Sequence, residues 1–481
     1  MKNWPCEVKG SIRVEVEGIT ERLQEAGPKQ LVVLRKGKHF NSLQKFDTVV
    51  AQGASAIVVE DESFFLQTKV NIPIIWVPNI LSFMAYAANV LYGKPSELVK
   101  VIAVTGTNGK TTVTHFIAQL LMSMQQKVML IGTNGVFVNG QPYTAFKVEQ
   151  LTTINSIELH RLLRKAVEMN VAFVVLEASS IGLAMHRLDS CEIDVGVFLN
   201  LTQDHLDVHG SMEAYKLAKQ RLAVLAKTVV FNRDDPFSRA VSIVCRKRKL
   251  EFSLKEKAAV HFQPLQQLEN ATLGVLQIGT EYEVVKLPFL FPYELENVLA
   301  AFAVLHMLEF SFSEFKEEAE RLKLPKGRLE RFRLAKGTDV YVDYAHSPGA
   351  LLAVLQPVRN LKNYEQVMVV FGCGGERDSL KRAEMGRIAS KYADKIYLTA
   401  DNSRGESVQA INAQIKKGFF ATQRYVEISD RETAIMTALC EAGERDAVFI
   451  LGKGHEMTQA IGGKVLPFSD QAVVERYMKK G

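Results

Sequence analysis

The stretch VIAVTGTNGKTT, residues 101–112, decides how the rest of the chain is read. An apolar run of the kind a buried parallel strand needs enters a glycine-rich turn, and a lysine and two threonines follow. Beyond them THFIAQLLMSM (114–124) has the period of a helix. Strand, glycine loop and helix in that order make a phosphate cradle. The glycines Gly106 and Gly109, with Thr107 and Asn108 between them, let successive N–H groups turn inward, and the helix adds its positive end. Lys110 is placed to reach the β- and γ-phosphates, and the Thr111 hydroxyl, followed by Thr112, suits Mg²⁺. The loop is shorter than the common G-x-x-x-x-G-K-[ST], so the flanking strand and helix carry as much of the reading as the letters do. A glycine turn with a chance lysine is the competing reading. ATP with Mg²⁺ is expected, and a kinase, a motor or a ligase would all use such a cradle.

Outward from this stretch the chain alternates strand-like and helical segments. Upstream, LVVL (31–34), AIVV (56–59) and IPIIWV (72–77) suggest a small α/β domain ending near Lys94-Pro95-Ser96. Downstream, KVMLIG (127–132), VAFVVLE (171–177), VGVFLNL (195–201) and KTVVFN (227–232) predict a doubly wound, mostly parallel central sheet. From about residue 324 a further set, VYVDY (340–344), QVMVVFG (366–372), KIYLTAD (395–401) and AVFILG (447–452), predicts a second Rossmann-like α/β unit. We therefore expect three α/β domains, 1–97, 98–326 and 327–481, in line with roughly 150 residues per domain.

Composition narrows the class. Of 481 residues 47% are hydrophobic and 23% charged, as in globular proteins. The net charge of +6 is mild, and its one tight basic run, Arg246-Lys247-Arg248-Lys249, reads as a solvated face, so no nucleic acid is expected as a partner. Five scattered cysteines without a CxxC indicate neither a disulfide framework nor a zinc knuckle. No signal-like segment and no window of about 18 apolar residues occurs, so a cytoplasmic protein without membrane insertion is expected; a monomer is expected as well, although nothing in the sequence speaks to oligomeric state.

Two further stretches bear on chemistry. Glu177 stands at the end of VVLEASS, where a doubly wound sheet collects ligand groups; it could hold the nucleotide's metal or merely cap the next helix. The block NLTQDHLDVHGSMEAYKLAK carries His205, His209 and Lys219. The two histidines at i, i+4 admit a zinc site as a lesser alternative, and Lys219 alone reads as an exposed helical lysine.

TGTNGKTT, Glu177-Ala178-Ser179-Ser180, NLTQDHLDVHGSMEAYKLAK, VDYAHSP, FGCGGERD, DNSR and LGKGHE together resemble, in order and spacing, the Mur ligases. The resemblance covers about residues 98–475 and is nearest to the MurE branch, the UDP-N-acetylmuramoyl-tripeptide synthetases. It implies ATP-dependent amide-bond formation in peptidoglycan precursor synthesis: a substrate carboxylate takes the γ-phosphoryl group and an amine displaces phosphate. Carried over by position, Lys110, Glu177, His205 and Lys219 are the catalytic set, with Thr111, Glu177, His205 and Lys219 as Mg²⁺ ligands. Lys219, in Tyr215-x-x-Ala218-Lys219, matches the lysine that CO₂ carbamylates, which turns a cation into an oxygen donor suited to Mg²⁺. Asn297, Arg328, Asp343 and His346 match nucleotide contacts, although Phe291 and Glu294 stand where the family has a glycine and an asparagine.

The substrate positions are mixed. Arg377, Asp401, Asn402, Arg404, Gly452 and Glu456 match the amino-acid pocket, with Ser403 replacing the proline of Asp-Asn-Pro-Arg. A guanidinium fork binds a carboxylate bidentately, so Arg404 favours meso-diaminopimelate over lysine as the diamino acid. On the acid side Thr152, Thr153, Ser179 and Arg187 match muramoyl contacts, while Ile154, Ile181 and Met185 replace proline, histidine and glutamine. The uridine-contacting Asp-Ser-Arg is absent, and only His39-Phe40 and QGASAIVVE resemble its surroundings. Each lost polar contact would cost about 1–3 kcal/mol. Three readings follow: a tripeptide synthetase acting on UDP-N-acetylmuramoyl-L-Ala-D-Glu, a paralogous ligase for another carboxylate, and a nucleotide-binding regulatory protein without turnover.

Overall fold

The computed structural model describes residues 4–480 apart from 12, 38–39, 70–71, 146–148, 150 and 362–363. His39 lies outside the described residues. The chain folds as two compact units that interleave in sequence: Met1–Thr105 with Gln125–Val197 and Ala218–Val229, and Gly106–Met124 with Phe198–Leu217 and Val230–Gly481.

The first unit holds a five-stranded sheet in the order Glu7–Lys9, Ile74–Trp76, Ala56–Val59, Gln30–Leu34, Gly18–Thr20. All its pairs are parallel except the edge strand Glu7–Lys9. Ala56–Val59 is buried along its whole length, as is Gln30–Leu34 after its first residue, which is why both read as unbroken apolar runs. Leu31, Val33, Ala56 and Val58 face helix Ile80–Leu91, whereas Val32, Leu34, Ile57 and Val59 meet Phe46, Val49 and Phe65. Further along, Lys100–Thr105 lies between Ile193–Phe198 and Phe173–Glu177, with Val128–Gly132 beyond. The strand Phe173–Glu177 pairs parallel with Lys100–Thr105 on one side and Val128–Gly132 on the other, so Thr105, Gly132 and Glu177 end at one edge of the sheet. The hairpin strand Gly135–Val138 adds an antiparallel margin.

In the second unit helix Lys110–Ser123, which follows the glycine loop, packs on helix Pro292–Met307. Lys249–Ser253, Val260–Gln267, Thr272–Ile278 and Glu281–Leu287 form a run of adjacent strands whose last two pairings are antiparallel. This meander was not anticipated: Thr272–Ile278 alternates buried and half-buried residues instead of running apolar throughout. A six-stranded sheet in the order Glu330–Arg333, Asp339–Asp343, Ala447–Leu451, Val367–Phe371, Lys395–Leu398, Arg424–Glu427 is parallel but for its first edge strand. Among the described residues no helix is long and apolar enough to cross a membrane.

Helix Pro292–Met307 is buried along most of its length, and its start explains Glu294. That carboxylate accepts from the backbone N–H groups of Phe291 (2.9 Å) and Leu290 (3.1 Å), closing the first turn from within. Burial outweighs these bonds and pushes its pKa up to about 7. A carboxyl with a raised folded pKa binds more protons folded than unfolded, so its contribution to stability falls as pH rises from about 4.5 to 7, by roughly 3 kcal/mol. Denaturant titration of Glu294→Gln, whose amide oxygen keeps the cap, should show that much less loss over this range than the parent protein.

Candidate active site

The glycine loop is braced before any ligand enters. Asn108 N–H donates to Asn200 Oδ1 (2.9 Å) and Asn200 Nδ2 returns a bond to Asn108 O (3.2 Å). Thr107 Oγ1 meets the Tyr215 hydroxyl at 2.9 Å and accepts from Thr202 N–H at 3.0 Å. Lys110 Nζ lies over the loop, donating to Gly106 O (2.8 Å) and Thr107 O (3.0 Å). Gly109 has φ +88°, and a Cβ there would stand 2.5 Å from Asn297 Oδ1. Asn297 therefore packs directly on the loop. Gly109→Ala should weaken ADP binding by at least about tenfold in calorimetry, since strain and clash fall on the same residue.

Arg328 reaches this cradle from the second half of the chain. Its Nη2 donates to Thr111 Oγ1 (3.1 Å), its guanidinium lies 4.7 Å from the centroid of the Tyr344 ring, and its buried Nε has no hydrogen-bond partner among the described residues. An unsatisfied cationic donor beside the loop threonine fits a phosphate oxygen. Asp343 accepts from Leu329 N–H and Ala345 N–H, both at 2.7 Å, which fixes the turn carrying Arg328 and His346. Thr112 is buried in the helix's first turn.

Asp204 gathers the charged groups around His205. Its carboxylate lies 3.7 Å from His205 Nε2, 4.0 Å from His346 Nε2 and 3.7 Å from the nearly buried Lys381 Nζ. Burial works to raise its pKa, but the electrostatic influence of His346, Lys381 and His205 holds it below the ordinary carboxylate value. The exposed Arg377 stands 3.7 Å from Asp207 on the same segment. Among the described residues no three His, Cys, Asp or Glu side chains are grouped as a metal site.

Glu177 is 1% exposed and does not cap the next helix, a task Ser179 performs by accepting from Gly182 N–H. Its oxygens instead accept from Thr133 N–H (2.9 Å) and Thr133 Oγ1 (3.1 Å), and Thr133 Oγ1 also touches Thr152 Oγ1 (3.1 Å). Thr153 Oγ1 donates to Glu177 O (2.8 Å) and meets Ser179 Oγ (2.9 Å), while Arg187 Nη1 donates to Thr153 O (2.5 Å). Thr152, Thr153, Ser179 and Arg187 thus form one cluster with Glu177 at the carboxyl ends of the strands. Lys219, in helix Met212–Leu225, is 1% exposed, which corrects its reading as an exposed helical lysine.

DNSR and GKGHE are brought together by side-chain contacts. Asn402 Nδ2 donates to Glu456 Oε2 (2.8 Å) and the buried Lys453 donates to the same oxygen (2.6 Å). Arg404 Nη1 is held by Gly375 O (2.7 Å) and Asn402 O (3.3 Å), and its Nε and Nη2 take no partner among the described residues. Gly452, at φ +119°, lets the chain pass Asp401, because a Cβ there would lie 2.4 Å from Asp401 Oδ2.

Residues 104–305 match the Mur ligase middle domain and residues 327–454 the Mur ligase glutamate ligase domain. The chain belongs to the Mur ligase family. It is 34% identical over 99% of its length, and 98% of the relative's, to the UDP-N-acetylmuramoyl-L-alanyl-D-glutamate–2,6-diaminopimelate ligase of Caldanaerobacter subterraneus subsp. tengcongensis. It is 38% identical to the ligase of that name from Geobacillus thermodenitrificans, covering 90% of this chain and 89% of that one. A solved structure of a ligase of the same name superposes with a TM-score of 0.67 at 30% identity, covering 97% and 95% of the two chains.

For this Mur ligase, some departures from the family pattern have local explanations. Glu294 caps a buried helix and Ile154 is a core residue, whereas nothing in the structure explains Ser403, whose buried hydroxyl has no partner among the described residues. In place of Asp-Ser-Arg, Arg22 pairs with Glu25 (3.2 Å) and with the buried Glu158 beside a cavity of about 360 Å³ bounded also by Thr20, Tyr92 and Asn155. Burial raises the Glu158 pKa, with Arg22 opposing. Phe40 is exposed. Lys381 and Lys453 were missed from the sequence, where a lysine in a helix and one between two glycines look ordinary.

Proposed function

We propose that this Mur ligase joins 2,6-diaminopimelate to UDP-N-acetylmuramoyl-L-alanyl-D-glutamate at the expense of ATP. The observation that carries the proposal is Arg404: with one nitrogen anchored on Gly375 O, its Nε and Nη2 are left to take the far carboxylate that lysine lacks. Glu456 and Asn402 stand beside it for the ammonium at that end. The activity named for the relatives supports the same reading, and their alignment runs through the N-terminal region that lacks Asp-Ser-Arg.

Lys110, Thr111 and Arg328 hold the phosphates, and Asn297, Asp343 and His346 frame the rest of the nucleotide. Thr111, Glu177, His205 and a carbamylated Lys219 would hold Mg²⁺, which when bound would supply charge stabilisation for phosphoryl transfer. Carbamylation forms an N–C bond between the unprotonated amine of Lys219 and CO₂ and releases a proton. Thr152, Thr153, Ser179 and Arg187 orient the acid. Its carboxylate oxygen attacks the γ-phosphorus and ADP leaves; the amine then attacks the acyl carbon and phosphate leaves. We assign the acid's nucleotide-sugar end to residues 1–97, the ATP chemistry to 98–326 and the amine to 327–481, in a monomeric cytoplasmic enzyme. Purified protein with ATP, the UDP-muramoyl dipeptide and each candidate amine tests this by phosphate release. Release with diaminopimelate and little with lysine is expected; release only with another acid would overturn it.

A further inference from the structure

We propose that Lys453 is a positioning residue for the amine substrate: its buried ammonium locks Asn402 and Glu456 into the one arrangement that leaves a Glu456 oxygen open to the incoming ammonium. This rests on the reading of the DNSR–GKGHE pocket as the amine site. Lys453 sits between Gly452 (φ +119°) and Gly454 (φ +50°), whose left-handed backbones turn its side chain inward, and it is 0% exposed. An ammonium is costly to bury unless it is paired and hydrogen-bonded. Its Nζ donates to Glu456 Oε2 at 2.6 Å and to Asn402 Oδ1 at 3.1 Å.

These two bonds settle the Asn402 amide. Asn402 Oδ1 also accepts from Ala460 N–H at 2.9 Å, so a flipped amide would turn its NH₂ toward an ammonium and a backbone donor. Nδ2 is thereby forced onto Glu456 Oε2 at 2.8 Å. With both donors on Oε2, Glu456 Oε1 takes no partner among the described residues, on a side chain 28% exposed. The protein thus uses one carboxylate oxygen for its own cation and keeps the other for the substrate's. Without Lys453 the amide loses its orientation and Glu456 its anchor.

Lys453→Met keeps the length and apolar stem and removes the charge. Its KM for diaminopimelate should rise about 10- to 100-fold, as for lost hydrogen bonds to a charged group. The KM values for ATP and the nucleotide-sugar peptide, and kcat, should change less than about threefold. In a Glu456→Gln background the same substitution should add less than about threefold, because it acts through Glu456. A crystal structure of Lys453→Met should show the Asn402 Nδ2 to Glu456 Oε2 contact broken. An intact contact, an ATP KM rising in step with the amine's, or losses that multiply with Glu456→Gln would each overturn the proposal. Wild-type protein assayed alongside separates the two claims: no ligation of diaminopimelate by the wild type defeats the functional reading, while the crystal structure still decides the role of Lys453.

Discussion

Lys219→Ala is expected to lower ligation by about 10²–10³-fold or more, the scale of losing one preorganised electrostatic contact at a developing charge. Short carboxylic acids such as acetate or formate should restore part of the activity, because they would supply the oxygen donor of the proposed carbamate. Lys219 is 1% exposed within helix Met212–Leu225, so a lysine there is not held for solubility. The Tyr215 hydroxyl of the Tyr215-x-x-Ala218-Lys219 pattern meets Thr107 Oγ1 of the glycine loop at 2.9 Å. Titrating acetate into the mutant while following phosphate release and amide product makes the check. Full activity without additive would remove Lys219 from the metal set, and a dead mutant indifferent to every carboxylate would remove the carbamate.

Arg404→Ala should cut the preference for diaminopimelate over lysine by at least about 30-fold in kcat/KM, since truncating one partner of a desolvated charge pair costs about 2–5 kcal/mol. Arg404→Lys should not restore it, because an ammonium is a point charge and cannot offer the parallel Nε and Nη2 donors. Arg404 has φ +50°, and its backbone N–H donates to Ala460 O at 2.9 Å, so the surrounding backbone and not Ser403 fixes its direction. Competition between the two amines in one reaction measures the ratio directly. An unchanged ratio in Arg404→Ala would place the carboxylate contact elsewhere.

Much of this site was legible because the chemistry demands residue types in a fixed local order. The cradle from Gly106 to Thr112 is contiguous, so its strand, loop and helix could be read from one window. Glu177 closes an unbroken apolar strand, and its position at the carboxyl end of the parallel strands followed from that. Contacts between distant segments were not legible. Arg328 lies 217 positions from Thr111, yet their side chains bond, and no periodicity in either segment implies it. Asp204 with Lys381, and Lys453 with Asn402, are likewise far apart in sequence and meet only in the folded chain. The antiparallel strands from Val260 to Leu287 escaped notice for a different reason: half-buried strands alternate, and Glu281–Leu287 is mostly exposed.

The transfer of ATP's terminal phosphoryl group to the substrate carboxylate is tested most directly by following oxygen. UDP-N-acetylmuramoyl-L-Ala-D-Glu labelled with ¹⁸O in the reacting carboxylate should yield phosphate carrying one ¹⁸O for each amide formed, because the oxygen that attacked phosphorus departs with it. Unlabelled phosphate, with the label lost to water or retained in the amide alone, would contradict the account.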